Sequence, residues 1–225
     1  MSLGQVIGDL LPLALGVAIS PVPVIAVILM LLAPQAKVAS VAFGIGWVVG
    51  VTVVVVAVTV AVDPADDAES GDPSTWSSVL KILLGLAAVL LAAKEWRSRP
   101  HGDEVPELPS WMAAVDTMTG PRALALGAAL SALNPKNLTL CLAAGLTIGA
   151  GGLSGGETTL AVVVFVAIAA STVVLPVLAY LVAHAKVQGP LDEMRDWLTV
   201  NNATVMAVLL LVIGVAIIGK GIGGL

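Results

Sequence analysis

The sequence predicts an all-α integral membrane protein, and three observations support this fold class. Hydrophobic residues make up 58% of the 225-residue chain and charged residues only 11%, whereas soluble domains carry about a quarter charged residues. The mean hydropathy is +1.04. Several apolar runs exceed about 18 residues, the length that a helix needs to cross a bilayer. The lipid bilayer is therefore expected to define the fold.

Six membrane spans can be placed on these apolar runs. The first run lacks the positively charged segment of a secretory signal and is longer than a signal's apolar region, so we expect it to be a retained span. The tryptophans at positions 76, 96, 111 and 197 fall at or beyond span ends, as in an interfacial aromatic belt. The predicted spans are Leu3–Leu32, Val38–Val62, Ser77–Trp96, Pro121–Ala150, Thr158–Ala185 and Ala203–Gly221.

The distribution of lysine and arginine predicts the orientation. Most of the ten basic residues lie in or beside the loops that follow the first, third and fifth spans. The opposite side has only Lys81 and Lys220. The positive-inside rule places the richer side in the cytoplasm, so we expect a multi-pass plasma-membrane protein with both termini outside. The cytoplasmic set is Lys37, Lys94, Arg97, Arg99, Arg122, Lys186 and Arg195.

A short internal repeat predicts two similar halves of opposite orientation. LALGVAIS at 13–20 and LALGAALS at 124–131 share six of eight residues. Each octet lies in the first span of a three-span half. Proline follows the octet in both cases, at Pro21 and Pro23 in the first span and at Pro135 in the fourth. Three spans per half force the halves into opposite orientations, which is the pattern of an inverted-topology repeat. The fold class is thus six transmembrane helices in a 3+3 inverted repeat, with helices 1 and 4 broken by proline.

The repeat divides the chain into three parts. Residues 1–96 form the first three-helix repeat and residues 121–225 the second. Residues 97–120 are a cytoplasmic linker, in which a short apolar stretch predicts a helix lying on the membrane surface.

Proline also interrupts the fifth span, at Pro176. Ser171 and Thr172 lie one turn earlier, and their hydroxyls are expected to satisfy the carbonyls that the proline frees. The second span has no proline, so the symmetry between the halves is imperfect.

The two breaks form the candidate site. Asn134 and Pro135 read as the N-cap and first residue of a new helix inside the membrane, and Ser20 and Pro21 read the same way. Lys136 lies roughly 20 Å along a helix from the preceding arginine, and a lysine at the bilayer centre costs at least about 2.5 kcal/mol. We therefore expect a hydrated, electropositive cavity between the halves. Its predicted substrate-binding residues are Ser20, Pro21, Pro23, Asn134, Pro135, Lys136 and Asn137. The alternative is a packing kink in which Lys136 bonds neighbouring carbonyls.

Few other groups can carry chemistry. Lys136, Asp9 and His184 are the titratable residues that could couple transport to protons, although a histidine at a span end is more often interfacial. The chain has one cysteine, Cys141, which excludes a disulfide framework and a cysteine-pair metal site. No basic patch indicates nucleic acid, and no motif indicates an intramembrane enzyme. We expect no cofactor and no metal.

Two motifs resemble the lysine exporter (LysE) superfamily of six-span transporters: the Pro-x-Pro at 21–23 and the Asn-Pro-Lys at 134–136. The stretch at 109–145, supported by the one at 19–31, resembles more closely the GAP family within it. These are Sap-like actinobacterial proteins associated with addressing glycopeptidolipid or sulfolipid to the cell surface. The resemblance implies an inverted 3+3 fold, a plasma-membrane location and export, and it makes the two proline motifs the family signature. The chain differs from cation-exporting branches because no acidic residue stands beside either break.

These observations predict a membrane transporter, specifically an exporter, for an anionic or zwitterionic small solute or lipid-linked substrate, with alternating access around a midplane site. The alternative is a non-transporting assembly factor for surface lipid export, which would dock lipid-synthesis or export machinery through residues 97–120. Divalent-metal export ranks last because the breaks lack carboxylates. Gly46 and Gly50 form a GxxxG motif, which fits either a homodimer face or packing within the bundle. Membrane lipids are the other expected partners.

Overall fold

The structure is a computed structural model that describes residues 1–62, 75–99, 115 and 117–224. Within these residues it is all-helical and contains no strand. The helices are α1 (Leu3–Ala18), α2 (Pro21–Leu32), α3 (Ala36–Ala61), α4 (Thr75–Arg97), α5 (Gly120–Ala132), α6 (Pro135–Gly149) and α7 (Gly155–Ile222).

Three helical segments are long and apolar enough to cross a membrane. They are α3 and the two arms of α7, Gly155–Ala183 and Gly189–Ile222. The pair formed by α1 and α2 is bent by 51° at its break and makes a fourth if it is counted as one broken span. The apolar helices are therefore compatible with a multi-pass membrane protein.

Both predicted breaks are confirmed. The first predicted span divides between Ala18 and Pro21, and the fourth divides between Ala132 and Pro135. In each case the second helix begins with a proline in its first turn, where the missing N–H costs nothing and the fixed φ favours the helix. The repeated octets thus end at the two breaks.

The fifth and sixth predicted spans are joined in one helical segment, which differs from the expected loop. The chain bends at Ala183 (φ −139°, ψ 43°), and the second arm begins at Gly189 rather than near Ala203. The added turns are polar but locally stabilised, because Asp192 and Arg195 form an ion pair at 3.1 Å three residues apart. Hydropathy marks only the apolar stretches on either side of these turns. It cannot show that the polar residues between them are also helical.

The GxxxG motif packs within the chain, against α5. A Cβ atom on Gly46 would collide with the carbonyl oxygen of Leu124, and one on Gly50 would collide with Ser131 Oγ. Gly127 of α5 is equally close to the backbone of α3. The motif therefore brings two backbones together inside the bundle, and a homodimer, if it forms, does not use this face.

The outward surfaces of the long helices carry large aliphatic side chains. Along α3, for example, valines and an isoleucine at intervals of three or four residues are exposed, while the opposite face is buried. Large aliphatic side chains on the outward face are expected in lipid, where tight helix contacts and not water exclusion hold the bundle. The buried face of α3 combines glycines with Phe43 and Trp47. The exposed set on α3 is Val38, Val41, Ile45, Val49, Val53, Val56 and Val60.

The predicted linker lies mostly outside the described residues, since 100–114 and 116 are not among them. The expected surface helix within 97–120 therefore remains a prediction. The division of the chain into two three-helix repeats, at 1–96 and 121–225, also remains a prediction.

Candidate functional site at the two helix breaks

The first break is stabilised from another helix. Ser20 is the N-cap of α2, but its side chain makes no capping bond and its Oγ has no hydrogen-bond partner. The prolines at 21 and 23 are buried and supply no N–H donors. Across the interface, the hydroxyl of Thr172 in α7 donates to the carbonyl of Ala18, in the last turn of α1. The freed backbone group is thus satisfied by tertiary contact.

The second break is stabilised by its own side chains. Asn134 is the N-cap of α6, and its Oδ1 accepts the N–H of Lys136 at 3.1 Å. Asn137 donates from Nδ2 to the carbonyl of Leu130, in the last turn of α5, at 3.1 Å. One asparagine therefore caps the helix that begins and the other caps the helix that ends.

Lys136 is almost fully enclosed, with 3% of its surface exposed. Its Nζ donates to the sulfur of Met206, in the second arm of α7, at 3.6 Å. A thioether is a weak acceptor. The ion pairs found among the described residues do not include Lys136, although Glu95 of α4 is close enough to act on it electrostatically. The ammonium contacts a sulfur atom instead of the carbonyls that the packing-kink alternative requires.

The helices α1 and α6 run antiparallel to each other. At the far end of the pair, the amino group of Met1 donates to the carbonyl of Gly151 at 2.9 Å. Near the break, a Cβ atom on Gly16 would lie 2.9 Å from Leu140 Cδ1. These two contacts fix how the helices are aligned.

This alignment brings the two breaks to the same level. Ser20 lies four residues after Gly16, and Lys136 lies four residues before Leu140. Since α1 ends at Ala18 and α6 begins at Pro135, both breaks lie within about one turn of this contact, and the first therefore lies opposite the second. Ser20 at the first break and Lys136 at the second therefore share a level, which is what an inverted repeat would require of a common site.

Several buried polar atoms at or near this level have no hydrogen-bond partner in the protein. They are Ser20 Oγ, Asn137 Oδ1 and, one turn from Met206 along α7, Asn202 Oδ1. Leaving such a group unpaired costs about 1–3 kcal/mol, so native proteins rarely do so without a reason. Together with the ammonium, these atoms can donate to and accept from a polar ligand.

The predicted open cavity differs from what the structure shows. Ser20, Lys136 and Asn137 are each at most 3% exposed, while Asn134 is half-buried and Pro135 is exposed. The charged and amide groups are therefore enclosed by protein in this conformation. Close packing of α1 against α6 and α7 fills the space where the sequence predicts a hydrated cavity.

The other titratable groups lie apart from the breaks. Asp9 forms an ion pair with Lys220 at 2.7 Å, and it lies eleven residues before Ser20, roughly 16 Å along a helix. His184 follows the kink in α7, but its side chain lies outside the described residues. Among the described residues there is no group of three or more histidine, cysteine or acidic side chains that could hold a metal. Proton coupling through Lys136, Asp9 or His184 remains a prediction.

Sequence reasoning missed four contributors. It placed the hydroxyl of Thr172 on its own helix, whereas that hydroxyl serves α1. It did not select Glu95, Met206 or Asn202. Thr172 inside an apolar span and Asn202 at the start of another are polar residues that the sequence makes detectable. Met206 gives no such signal, because it looks like any other apolar residue.

These features define an all-helical protein of the multi-pass membrane class, with two aligned helix breaks beside an enclosed lysine. The chain belongs to the family described as Sap, sulfolipid-1-addressing protein, whose model matches residues 10–223. The matched range includes both breaks, so the Sap-like membership predicted from the sequence is confirmed. Placement in the lysine exporter superfamily remains a prediction. No curated protein and no solved structure is significantly similar to the chain.

Proposed function

We propose that the chain is a membrane transporter that exports an anionic or zwitterionic substrate by alternating access around the two breaks. The family description names sulfolipid-1 addressing, and a sulfolipid carries an anionic headgroup. A lipid-linked anion of this kind is therefore the substrate class that we favour over a small soluble ion. Neither a cofactor nor a catalytic step is part of the proposal.

The observation that carries the proposal is the enclosed ammonium of Lys136, whose hydrogen bond goes only to a thioether. A charged group at such a place is costly and is by default a functional hypothesis. An anionic headgroup would supply the missing opposite charge. The free hydroxyl of Ser20 would donate a hydrogen bond to the anion, whereas Asn137 Oδ1 can only accept one and would serve a hydroxyl group of the substrate.

The helix dipoles support an anion at this place, although the backbone offers few donors. The N-termini of α2 and α6 both begin at the breaks, and a helix N-terminus carries about half a positive charge. Pro21 and Pro23 have no N–H, and the N–H of Lys136 is occupied by Asn134. Direct contacts to the substrate would therefore come mainly from side chains.

The proposal includes six spans in a 3+3 inverted repeat, and the helix packing supports it. The second span packs on the fourth through Gly50 and Ser131, and the fifth packs on the first through Thr172 and Ala18. Exchange of the halves converts one of these pairs into the other. The third and sixth spans, α4 and the second arm of α7, pack on each other and form a pair that the exchange leaves unchanged.

The structure also supports an outer gate. A cavity of about 20 Å³ near the N-terminal end of α1 is lined by Asp9, Thr147 and other residues of four helices. Gly16, Leu140 and Ile213 pack together between this cavity and the lysine. Separation of the halves along this contact would open the site to the side that the positive-inside rule predicts to be external.

The experiment measures transbilayer movement of a fluorescent sulfated glycolipid in proteoliposomes that contain the purified protein. The wild-type protein should accelerate movement over protein-free vesicles, and Lys136→Ala should lower the rate at least tenfold toward the protein-free value. Lys37→Ala removes an exposed lysine on α3 and serves as the matched control. Wild-type rates for Lys136→Ala would overturn the proposal, provided that both variants are folded and inserted.

The second candidate is an assembly factor that addresses lipid without carrying it, and the word addressing in the family description favours it. In that case Lys136→Ala would leave surface delivery of the lipid in cells unchanged, and the purified protein would move no lipid. Contacts with lipid-synthesis or export machinery would then carry the function.

A further inference from the structure

A groove of about 380 Å³ lies between α4 and the second arm of α7. Small and aliphatic residues form its walls, among them Ala92 and Ala93 of α4 and Leu211 of α7. At one end the lining changes to Trp96 and Arg97. The groove is thus apolar along its length and cationic at one end.

The cationic end is organised by an aromatic ring. The guanidinium of Arg99 lies 3.3 Å from the centroid of the Trp96 ring, which is a cation–π contact. The Nε of Arg99 also donates to the carbonyl of Trp96 at 2.9 Å. The end of α4 therefore carries two arginines, of which Arg97 lines the groove and Arg99 is held on the Trp96 ring.

Two other grooves in the described part of the chain give a comparison. They measure about 460 and 330 Å³, lie between α3 and the first arm of α7, and are lined by no charged residue. Lipid chains are as apolar as these walls, so an apolar groove does not by itself select a lipid. A cationic end can select an anionic lipid, because arginine recognises phosphate and sulfate groups through paired N–H donors.

We infer that the groove between α4 and α7 binds an anionic membrane lipid. One acyl chain lies along Ala93 and Leu211, and the anionic headgroup lies against Arg97 and Arg99. The ring of Trp96 sits at the boundary between chain and headgroup, where tryptophan is enriched. The positive-inside rule places this end in the inner leaflet, which carries the anionic lipids that attract basic residues. Lipid binding requires no transport, so the inference goes beyond the proposed function and can fail or hold independently of it.

The test is native mass spectrometry of the purified full chain, with phosphatidylglycerol and phosphatidylcholine offered in equal amounts. Arg97→Gln should weaken retention of phosphatidylglycerol about fivefold, the effect of about 1 kcal/mol per basic residue. Lys94→Gln removes an exposed charge of the same helix turn that does not line the groove, and it should change retention less than twofold.

A second pair of variants tests the apolar part. Ala93→Phe fills this groove and should displace the lipid while both arginines remain. Ala167→Phe fills the uncharged groove of about 460 Å³ and should leave phosphatidylglycerol retention unchanged. Equal retention of both lipids by the wild type would overturn the inference, and so would equal effects within the matched pairs. Loss of a dimer upon Ala93→Phe would also overturn it, since a second copy of the chain would then be the occupant.

Discussion

Both helix breaks are followed by a helix that begins with proline, but the two are stabilised in different ways. At the first break the N-cap Ser20 makes no bond, and the neighbouring carbonyl of Ala18 is satisfied by Thr172 from α7. At the second break Asn134 and Asn137 satisfy the freed groups from within the same segment. The first break therefore depends on the packed bundle, whereas the second is largely determined by its own sequence.

This difference shows where binding capacity remains. At the second break the two asparagines satisfy the freed backbone groups, so the side chain of Lys136 is not needed as a cap. Its charge therefore remains available for binding. A break that relies on another helix leaves its serine hydroxyl unpaired at the same level. The unpaired hydroxyl at the first break and the charge at the second thus lie at one level, which is the physical basis of the proposed site.

The largest expected effect concerns the helix packing beside each break. A Cβ atom on Gly50 would collide with Ser131 Oγ and lie 2.9 Å from the carbonyl oxygen of Ala128, and the latter cannot move without separating α3 from α5. We expect Gly50→Ala to lower the free energy of unfolding by about 1–3 kcal/mol, measured by titration with SDS in mixed micelles. Gly16→Ala meets the ends of the Ile213 and Leu140 side chains, which can rotate, so its loss should be smaller. Equal losses would show that the first break is as rigidly packed as the second.

The next effect separates the two N-caps. Asn134→Ala removes a bonded cap and should lower the free energy of unfolding by about 1 kcal/mol. Ser20→Ala removes a hydroxyl that makes no bond and should leave stability unchanged or slightly raised. Both are measured by the same titration. If Ser20 binds substrate, its variant should lose transport rate while it keeps stability; a clear loss of stability would contradict the assignment of an unpaired hydroxyl.

The smallest effect concerns the contact that the first break receives from α7. Thr172→Val keeps the side-chain shape and removes the donor to Ala18, so we expect a loss of about 0.6 kcal/mol, the average for hydrogen bonds between membrane helices. Ser171→Ala is the control, because that hydroxyl bonds the carbonyl of Ile168 in its own helix. A larger loss for Ser171→Ala in thermal unfolding would contradict the idea that the first break depends on Thr172.

Much of the helix layout could be predicted because it follows from local properties. The bounds of α2 and α6 follow from proline at the first helical position, and the asparagine before Pro135 predicts a cap without reference to any neighbour. The extension of α7 through 189–202 could not be predicted from hydropathy. It is held by the buried leucines Leu191 and Leu198 and by the ion pair of Asp192 with Arg195, and two leucines in a polar stretch are too few to indicate a span.

Among the site residues, the sequence predicted Lys136, Asn134 and Ser20 because each is unusual inside an apolar run. It could not predict that the lysine contacts Met206, since a methionine in an apolar span looks like any other apolar residue. It also left the role of Gly46 and Gly50 open, because a small-residue spacing has the same form for a dimer face as for a contact within the bundle.

The sequence by itself determined where the apolar helices form, where two spans break and which charge lies beside a break, because proline geometry, capping and hydropathy act over a few residues. Only the tertiary structure decided that the two breaks share one level, that Thr172 serves α1 and that Lys136 is enclosed beside Met206. These features depend on how distant helices are aligned, and that alignment is set by contacts between residues far apart in the chain, such as Gly16 against Leu140, which a linear pattern does not contain.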